Sequence, residues 1–218
     1  ADPRGEQGIK RFLSRLKKEY EELPEKKKKY FDKENFINPY SDSRILYGAP
    51  KKEVKKVMVG IDADASEVLL ADRLNHPSTG SGLGIDLLIS HHPGGHALAS
   101  LHEVMDVQID IFAEAGVPKN VAYALMEQRK GFVHRRFNPL NHNQAIDAAR
   151  LLNIPLLALH TIWDNLGNKF MKNYLSKNKF DTAGEALAAV REIPEFIEST
   201  KGKSGPFLAC GSEKGPAG

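Results

Sequence analysis

Two adjacent histidines, His91 and His92, follow an apolar run of strand length, Ile85 to Ile89, and precede Pro93. An unbroken apolar run suits a strand covered on both faces, as in a parallel sheet flanked by helices. Ligands and catalytic groups in such sheets collect beyond the carboxyl ends of the strands. Neighbouring side chains in an extended segment point to opposite sides, so the pair would serve one metal poorly but could bind two metals, or a metal and a substrate. A polar loop with two solvated histidines explains the same spacing.

Two other apolar segments end in polar groups of this kind. Gly60-Ile61-Asp62 closes segment 54–62, and His160-Thr161-Ile162-Trp163-Asp164 follows segment 154–159. If the three strands are parallel neighbours, their ends share one rim, and imidazoles with carboxylates are the ligands expected for zinc, iron or manganese. Asp164 is the first candidate carboxylate and Asp62 the second. Asp62 can equally cap the turn after its strand, and His160 can hydrogen-bond to a ligand rather than be one.

Other candidate groups have plainer interpretations. His96 begins a helix, Trp163 packs beside the site, and Cys210 is an inert core residue inside an apolar strand. The remaining histidines belong to loops or exposed helix faces: His76, His102, His134 and His142. The sequence has no Gly-x-Ser-x-Gly, Gly-x-Gly-x-x-Gly or Walker-type motif, which argues against a serine nucleophile and a phosphate-binding glycine loop.

These residues need a frame of strands and helices to position them. The strand 54–62, a short helix at 67–74 capped by Ser66, and the strand 85–90 predict a parallel β-α-β unit. Further elements are expected as helices near 98–116, 120–133, 143–152, 167–177 and 182–191, and as strands at 154–159 and 207–210. The predicted fold class is α/β, with a mostly parallel sheet flanked by helices and an N-terminal helical arm.

The arm is predicted over residues 1–50. Apolar residues at helical spacing over 9–23 indicate an amphipathic helix that ends near Pro24, and residues 24–50 suit an irregular segment. It would cover the main body or a neighbouring subunit. Residues 51–218 then form an α/β domain that carries the metal site.

Composition is ordinary for a soluble globular protein of 218 residues, with 41% hydrophobic and 27% charged residues. The sequence has no apolar run of membrane-spanning length and no apolar signal-peptide core, and its single cysteine excludes an internal disulfide, so the cytoplasm is the expected compartment. Residues 1–56 hold 16 of the 31 basic and 10 of the 28 acidic residues. No aromatic platform accompanies this positive charge, so a solvated helix face is favoured and nucleic acid is not an expected partner.

Two sequence elements resemble the Nif-three-like family, also called the GTP cyclohydrolase I type 2-like family. They are Asp86-Leu87 followed by His91-His92-Pro93, and His160-Thr161 followed by Asp164-Asn165. The similarity covers roughly residues 54–170. It implies an α/β fold, a dinuclear metal centre and a ring-like homohexamer. By this resemblance His91, His92 and Asp164 correspond to metal ligands, with His160 close by.

The family completes its site with a His-x-x-x-Glu element nearer the C-terminus, and this sequence has no histidine after Asp164. We therefore expect either the N-terminal part of a longer protein or an incomplete site. Two metals beside a hydrolytic water best support hydrolysis of a phosphoester or nucleotide-like substrate. The leading hypothesis is a metal-dependent hydrolase-like protein that binds two divalent ions. The alternative is an oligomeric interaction protein whose metal site is structural or vestigial.

Overall fold

The computed structural model describes residues 2–48, 53–76 and 84–217. It divides into two compact units, residues 1–165 and 166–218. The predicted boundary between the arm and the α/β domain, at residues 50 and 51, lies outside the described residues, as does most of the loop expected before the second predicted strand.

A four-stranded sheet organises the first unit. Its strands are β1 (Ser43–Tyr47), β2 (Val57–Gly60), β3 (Leu87–Ser90) and β4 (Leu156–Leu159). They lie in the order β1-β4-β3-β2, where β2, β3 and β4 are parallel and β1 is antiparallel to β4. The predicted α/β class with a mostly parallel, helix-flanked sheet is confirmed. Strand β1 comes from the segment expected to be irregular and was not predicted from the sequence.

Helices account for most of the remaining first unit. They are α1 (Gly5–Glu22), α2 (Glu25–Lys28), a 3-10 helix (Lys33–Phe36), α3 (Ala65–Asn75), α4 (Gly95–Ala99), α5 (Leu101–Val104), α6 (Val107–Glu114), α7 (Lys119–Phe137) and α8 (Gln144–Leu152). Helix α9 (Thr161–Leu175) begins in this unit. No helix among the described residues combines the length and hydropathy needed to cross a membrane.

The main core lies between one face of the sheet and helices α3 and α8. Leu88 and Leu156 from the two central strands are fully buried against Val68 of α3 and Ala149 of α8. Burial alternates along β3 and β4, as expected when successive side chains point to opposite faces. Leu88 and Leu156 therefore anchor the two central strands, and their hydrogen-bonded pairing fixes the register of their carboxyl ends.

Three helices form a second core cluster beside the first. Met105, Met126 and Val133 are buried there, and Leu101 and Phe137 pack against them. The sequence predicted one helix over 98–116, but the chain forms α4, α5 and α6 there. The hydroxyl of Ser100, which follows α4, donates to the carbonyl of His96 and helps to end that helix after one turn.

The second unit contains α10 (Ala183–Arg191) and α11 (Pro194–Lys201), the latter not predicted. The strand predicted over Phe207–Cys210 is wrong, since the chain has no regular structure there and Cys210 is exposed rather than in a core. Pro206 and Gly211, the latter with a φ of 85°, bracket this short run, and a strand needs a partner to complete its hydrogen bonds.

Candidate metal centre

The carboxyl ends of β2, β3 and β4 meet at one edge of the sheet, because these strands are adjacent and parallel. The backbone ladder extends past the strands: the N–H of His91 donates to Gly60, and that of His92 donates to Ile61 (2.9 and 2.7 Å). The segments that carry Asp62, His91, His92 and His160 therefore lie side by side. This arrangement confirms the expectation that the three polar strand ends share a rim.

His91, His92 and His160 converge at this rim. One ring nitrogen from each histidine lies within 4.8 Å of those of the other two. Ring centroids are 5.1 Å apart for His91 and His92, and 4.9 Å apart for His91 and His160. Three imidazoles at this spacing can bind one metal ion together.

The two adjacent histidines do not diverge as their sequence positions predicted. Strand β3 ends at Ser90, and residues 91 and 92 form a bend. The hydroxyl of Ser90 donates to the carbonyl of His92, which closes this bend locally. Because the alternation rule holds only for extended backbone, both rings can turn toward the same cluster.

A separate acceptor engages the Nδ1 atom of each histidine. Nδ1 of His91 lies 3.2 Å from the carbonyl oxygen of Leu159, and Nδ1 of His92 lies 2.7 Å from Oδ1 of Asp62. Nδ1 of His160 lies 2.8 Å from Oδ2 of Asp42. A neutral imidazole that donates from Nδ1 keeps its lone pair on Nε2, which is how metal-ligating histidines are usually oriented.

Asp42 was not predicted as a site residue, because it lies in the segment expected to be irregular. Its side chain is fully buried, and it accepts a hydrogen bond from the hydroxyl of Thr161 at 2.7 Å as well as contacting His160. The next residue, Ser43, pairs with Leu159 across β1 and β4. The local signal is weak: a polar stretch, residues 41–44, precedes the short apolar run 45–47, and the partner of Asp42 lies in a distant part of the chain.

The environment of His160 raises the pKa of its imidazole. Burial by itself lowers this pKa, but the hydrogen bond and negative charge of Asp42, together with the charge of Asp164, more than offset that effect. Asp42 therefore fixes the proton on Nδ1 and makes Nε2 a stronger donor to a cation.

Asp164 lies in the first turn of α9, four residues after His160, which directly precedes that helix. Its Oδ1 is 3.5 Å from Nε2 of His91, and its Oδ2 is 3.8 Å from Nε2 of His160. One carboxylate thus faces two imidazoles through different oxygens. Trp163 stacks on His91, with ring centroids 5.9 Å apart and planes 18° apart.

Other predicted residues lie in less central places. Asp62 contacts His92 and is largely exposed, while Asp64, rather than Ser66, is the N-cap of α3. His96 begins α4, as predicted, and its Nε2 lies 3.0 Å from Oδ2 of Asp32. The remaining histidines are not among the three clustered rings: His76, His102, His134 and His142.

No protein-family model matches the chain, and no curated protein matches it in sequence. Its structure is similar to the crystal structure of a NIF3 superfamily protein from Sphaerobacter thermophilus, with a TM-score of 0.70 and 25% sequence identity. The match covers 94% of this chain and 66% of that one, so the chain spans slightly less than two thirds of its relative's length. This comparison supports the Nif-three-like family that the two sequence elements indicated.

Proposed function

We propose, from the premise that this chain is a Nif3-like protein, that it is a cytoplasmic metal-dependent hydrolase acting on phosphoesters. The observation that carries this proposal is the convergence of His91, His92 and His160, each with its Nδ1 engaged by a separate acceptor. This pattern prepares three nitrogen ligands for a cation rather than three solvated surface histidines.

The donor set fits divalent transition metals. Imidazole nitrogens and a carboxylate suit zinc, iron or manganese. We assign His91, His92 and Asp164 as ligands, with His160 as a further ligand and Asp62 as the hydrogen-bond partner of His92. Asp164 offers two carboxylate oxygens, each near a different imidazole, so it would supply oxygen ligands beside more than one histidine. The site is proposed to be dinuclear, as the family resemblance implies.

Divalent ions held there would polarise a phosphoryl oxygen and lower the pKa of a bound water. The chain's own residues supply orientation. Asp42 holds the proton of His160 on Nδ1, and the Leu159 carbonyl does the same for His91. Trp163 covers one face of the His91 ring and limits its rotation. In the net reaction the water oxygen bonds to phosphorus, the P–O bond to the alcohol breaks, and the alcohol leaves with a proton.

The first experiment is elemental analysis of protein purified without chelator or added metal. We expect about two equivalents per chain, and a His91→Ala/His92→Ala double variant that stays folded by circular dichroism but loses them. His134→Ala, which removes an exposed histidine outside the cluster, should retain the metal. Metal content near zero in the parent protein, or unchanged content in the double variant, would contradict the proposal.

Hydrolysis needs its own test with a panel of phosphoesters, beginning with p-nitrophenyl phosphate. We expect turnover that requires added manganese or zinc and disappears in the double variant. A metal-loaded protein that hydrolyses no phosphoester in the panel would rule out this activity while leaving the metal site intact.

A second candidate is an oligomeric interaction protein in which the metal is structural. One observation favours it: the sheet face opposite the core leaves Ile45, Val57, Val59 and Ile61 between 47% and 66% exposed. Exposed apolar surface of this kind commonly marks an interface. The resemblance implies a homohexamer. Light scattering before and after chelation distinguishes the two candidates. Removal of a structural metal should reduce assembly or stability, whereas removal of a catalytic metal should abolish activity alone.

A further inference from the structure

A cavity of about 380 Å³ opens beside the histidine cluster, and His92 and His160 form part of its wall. It lies at the carboxyl edge of the sheet, between the segments that follow β2 and β3 and the start of α8. This volume falls within the range of about 300–1,000 Å³ typical of small-molecule sites. The cavity therefore suits the non-reacting part of a small substrate whose reacting group lies at the metal centre.

One wall of the cavity is apolar. It is formed by Leu98, Leu101 and Phe137. Leu101 and Phe137 also pack against the buried cluster of α5, α6 and α7, so this wall is supported from behind. An aromatic ring supported by a packed core can stack against a flat ring system. Such aromatic pairs contribute more interaction free energy than their buried area alone would give.

The cavity lining also includes two amides, Asn141 and Gln144. The side chain of Gln144 is exposed and makes no hydrogen bond to the described part of the chain. Oδ1 of Asn141 accepts from the backbone of Asn143 at 3.3 Å, which leaves its NH₂ group as a donor. Each amide can present both donors and an acceptor, which matches the mixed donor and acceptor edge of a nitrogen heterocycle.

Two carboxylates, Asp62 and Asp64, also line the cavity. Oδ1 of Asp62 contacts His92, and its second oxygen is available to accept from a ligand. Carboxylates favour hydroxyl or amino donors and repel an anion. A phosphate would therefore lie toward the metal ligands, and a group bearing hydroxyls would lie at Asp62.

We propose that this cavity binds the nucleoside part of a nucleoside monophosphate. The base stacks on Phe137, its edge bonds to Asn141 and Gln144, and the ribose hydroxyls face Asp62. The assignment rests on the proposed function, since the metal site would take the phosphate, and hydrolysis would yield a nucleoside and inorganic phosphate.

The test is calorimetric titration of the manganese-loaded full chain with AMP, GMP, CMP, UMP and ribose 5-phosphate. We expect at least one nucleoside monophosphate to bind about tenfold or more tightly than ribose 5-phosphate, since ring stacking and base hydrogen bonds are added. Gln144→Leu and Phe137→Ala should each reduce this ratio severalfold. Gln144 is exposed, so its variant should fold even if Phe137→Ala does not. Phe132→Ala, an exposed phenylalanine of α7 outside the cavity wall, is the matched control and should leave the ratio unchanged.

Equal binding of ribose 5-phosphate and all four nucleotides would overturn the assignment, as would a ratio that survives Gln144→Leu in folded protein. The two proposals fail separately. Hydrolysis of p-nitrophenyl phosphate without any preference for nucleotides would contradict the nucleoside site and support the proposed hydrolase. A nucleoside could instead bind to chelator-treated protein, with binding weakened by Gln144→Leu, while the protein takes up no metal. That result would support the nucleoside site and contradict the proposed hydrolase.

Discussion

Nδ1 of His160 lies 2.8 Å from Oδ2 of Asp42, although the two residues are 118 positions apart in the sequence. Antiparallel pairing of β1 with β4 brings them together, since Ser43 lies opposite Leu159. The carboxylate is fully buried and also accepts from Thr161. A buried carboxylate needs such hydrogen-bond partners. Strand β1 therefore forms one edge of the sheet and also positions Asp42, which orients His160 at the metal centre.

Asp42→Asn should weaken metal binding by about 10- to 100-fold, because the amide cannot supply the negative charge that orients His160 and increases its basicity. The measurement is competition for zinc against a chromogenic chelator. Asp147→Asn removes an exposed carboxylate that pairs with Arg150 in its own helix, and it should leave the affinity unchanged. Wild-type affinity in a folded Asp42→Asn protein would contradict the role given to this carboxylate.

The sequence predicted the parts of this site that depend on local pattern. Apolar runs that end in Asp62, in His91 and His92, and in His160 identify three strand ends. Parallel strands then bring those ends to one edge without further information. The order and direction of β2, β3 and β4 in the structure match this logic.

The sequence could not reveal contacts set by pairing between distant segments. Asp42 sits in a stretch whose residues suit a turn, and only the register of β1 against β4 places it beside His160. Cys210 shows the converse: Phe207-Leu208-Ala209-Cys210 is apolar enough for a strand, yet a strand forms only where a partner is available. The bend after Ser90, which turns His91 and His92 to one side, is likewise decided by local hydrogen bonding rather than by residue spacing.

Leu88→Ala should lower the free energy of unfolding of the first unit by about 2–5 kcal/mol, because a fully buried side chain in the central strand leaves a cavity. Urea denaturation followed by fluorescence of Trp163, the single tryptophan of the chain, measures this loss. Val59→Ala on the neighbouring strand is the control, since Val59 is 55% exposed. Equal losses in the two variants would show that the face packed against α3 and α8 is not the principal core.

Asp32 gives the protein a defined sensitivity to acid. Burial alone would raise the pKa of this carboxyl, but hydrogen bonds and charge from Arg44, with help from the backbone of Glu34 and from His96, lower it to about 2. The folded-state pKa is thus below the unfolded value, so the stabilisation is present above about pH 4 and is lost as the pH falls toward 2.

Asp32→Asn should therefore lower the free energy of unfolding by about 1 kcal/mol at neutral pH. This is less than the full pKa shift would give, because solvent screens the partly exposed pair of Asp32 and Arg44. The variant should also show a shallower fall in stability between pH 4 and pH 2. Urea midpoints measured across that range test this, with Asp147→Asn as an exposed control. An unchanged acid profile in Asp32→Asn would assign the acid sensitivity to other carboxyl groups.

Trp163 should report directly on metal binding, because its ring stacks on His91 at 5.9 Å and no other tryptophan contributes to the emission. Open-shell ions such as Cu²⁺ or Ni²⁺ quench indole fluorescence at short range. We therefore expect their addition to quench the emission saturably at low metal-to-protein ratios. His91→Ala should abolish the saturable phase while His134→Ala retains it, and prior loading with zinc should protect the emission. Quenching that is linear in metal concentration, and equal in both variants, would mean that ions reach the indole only by collision and that the histidine cluster does not hold them.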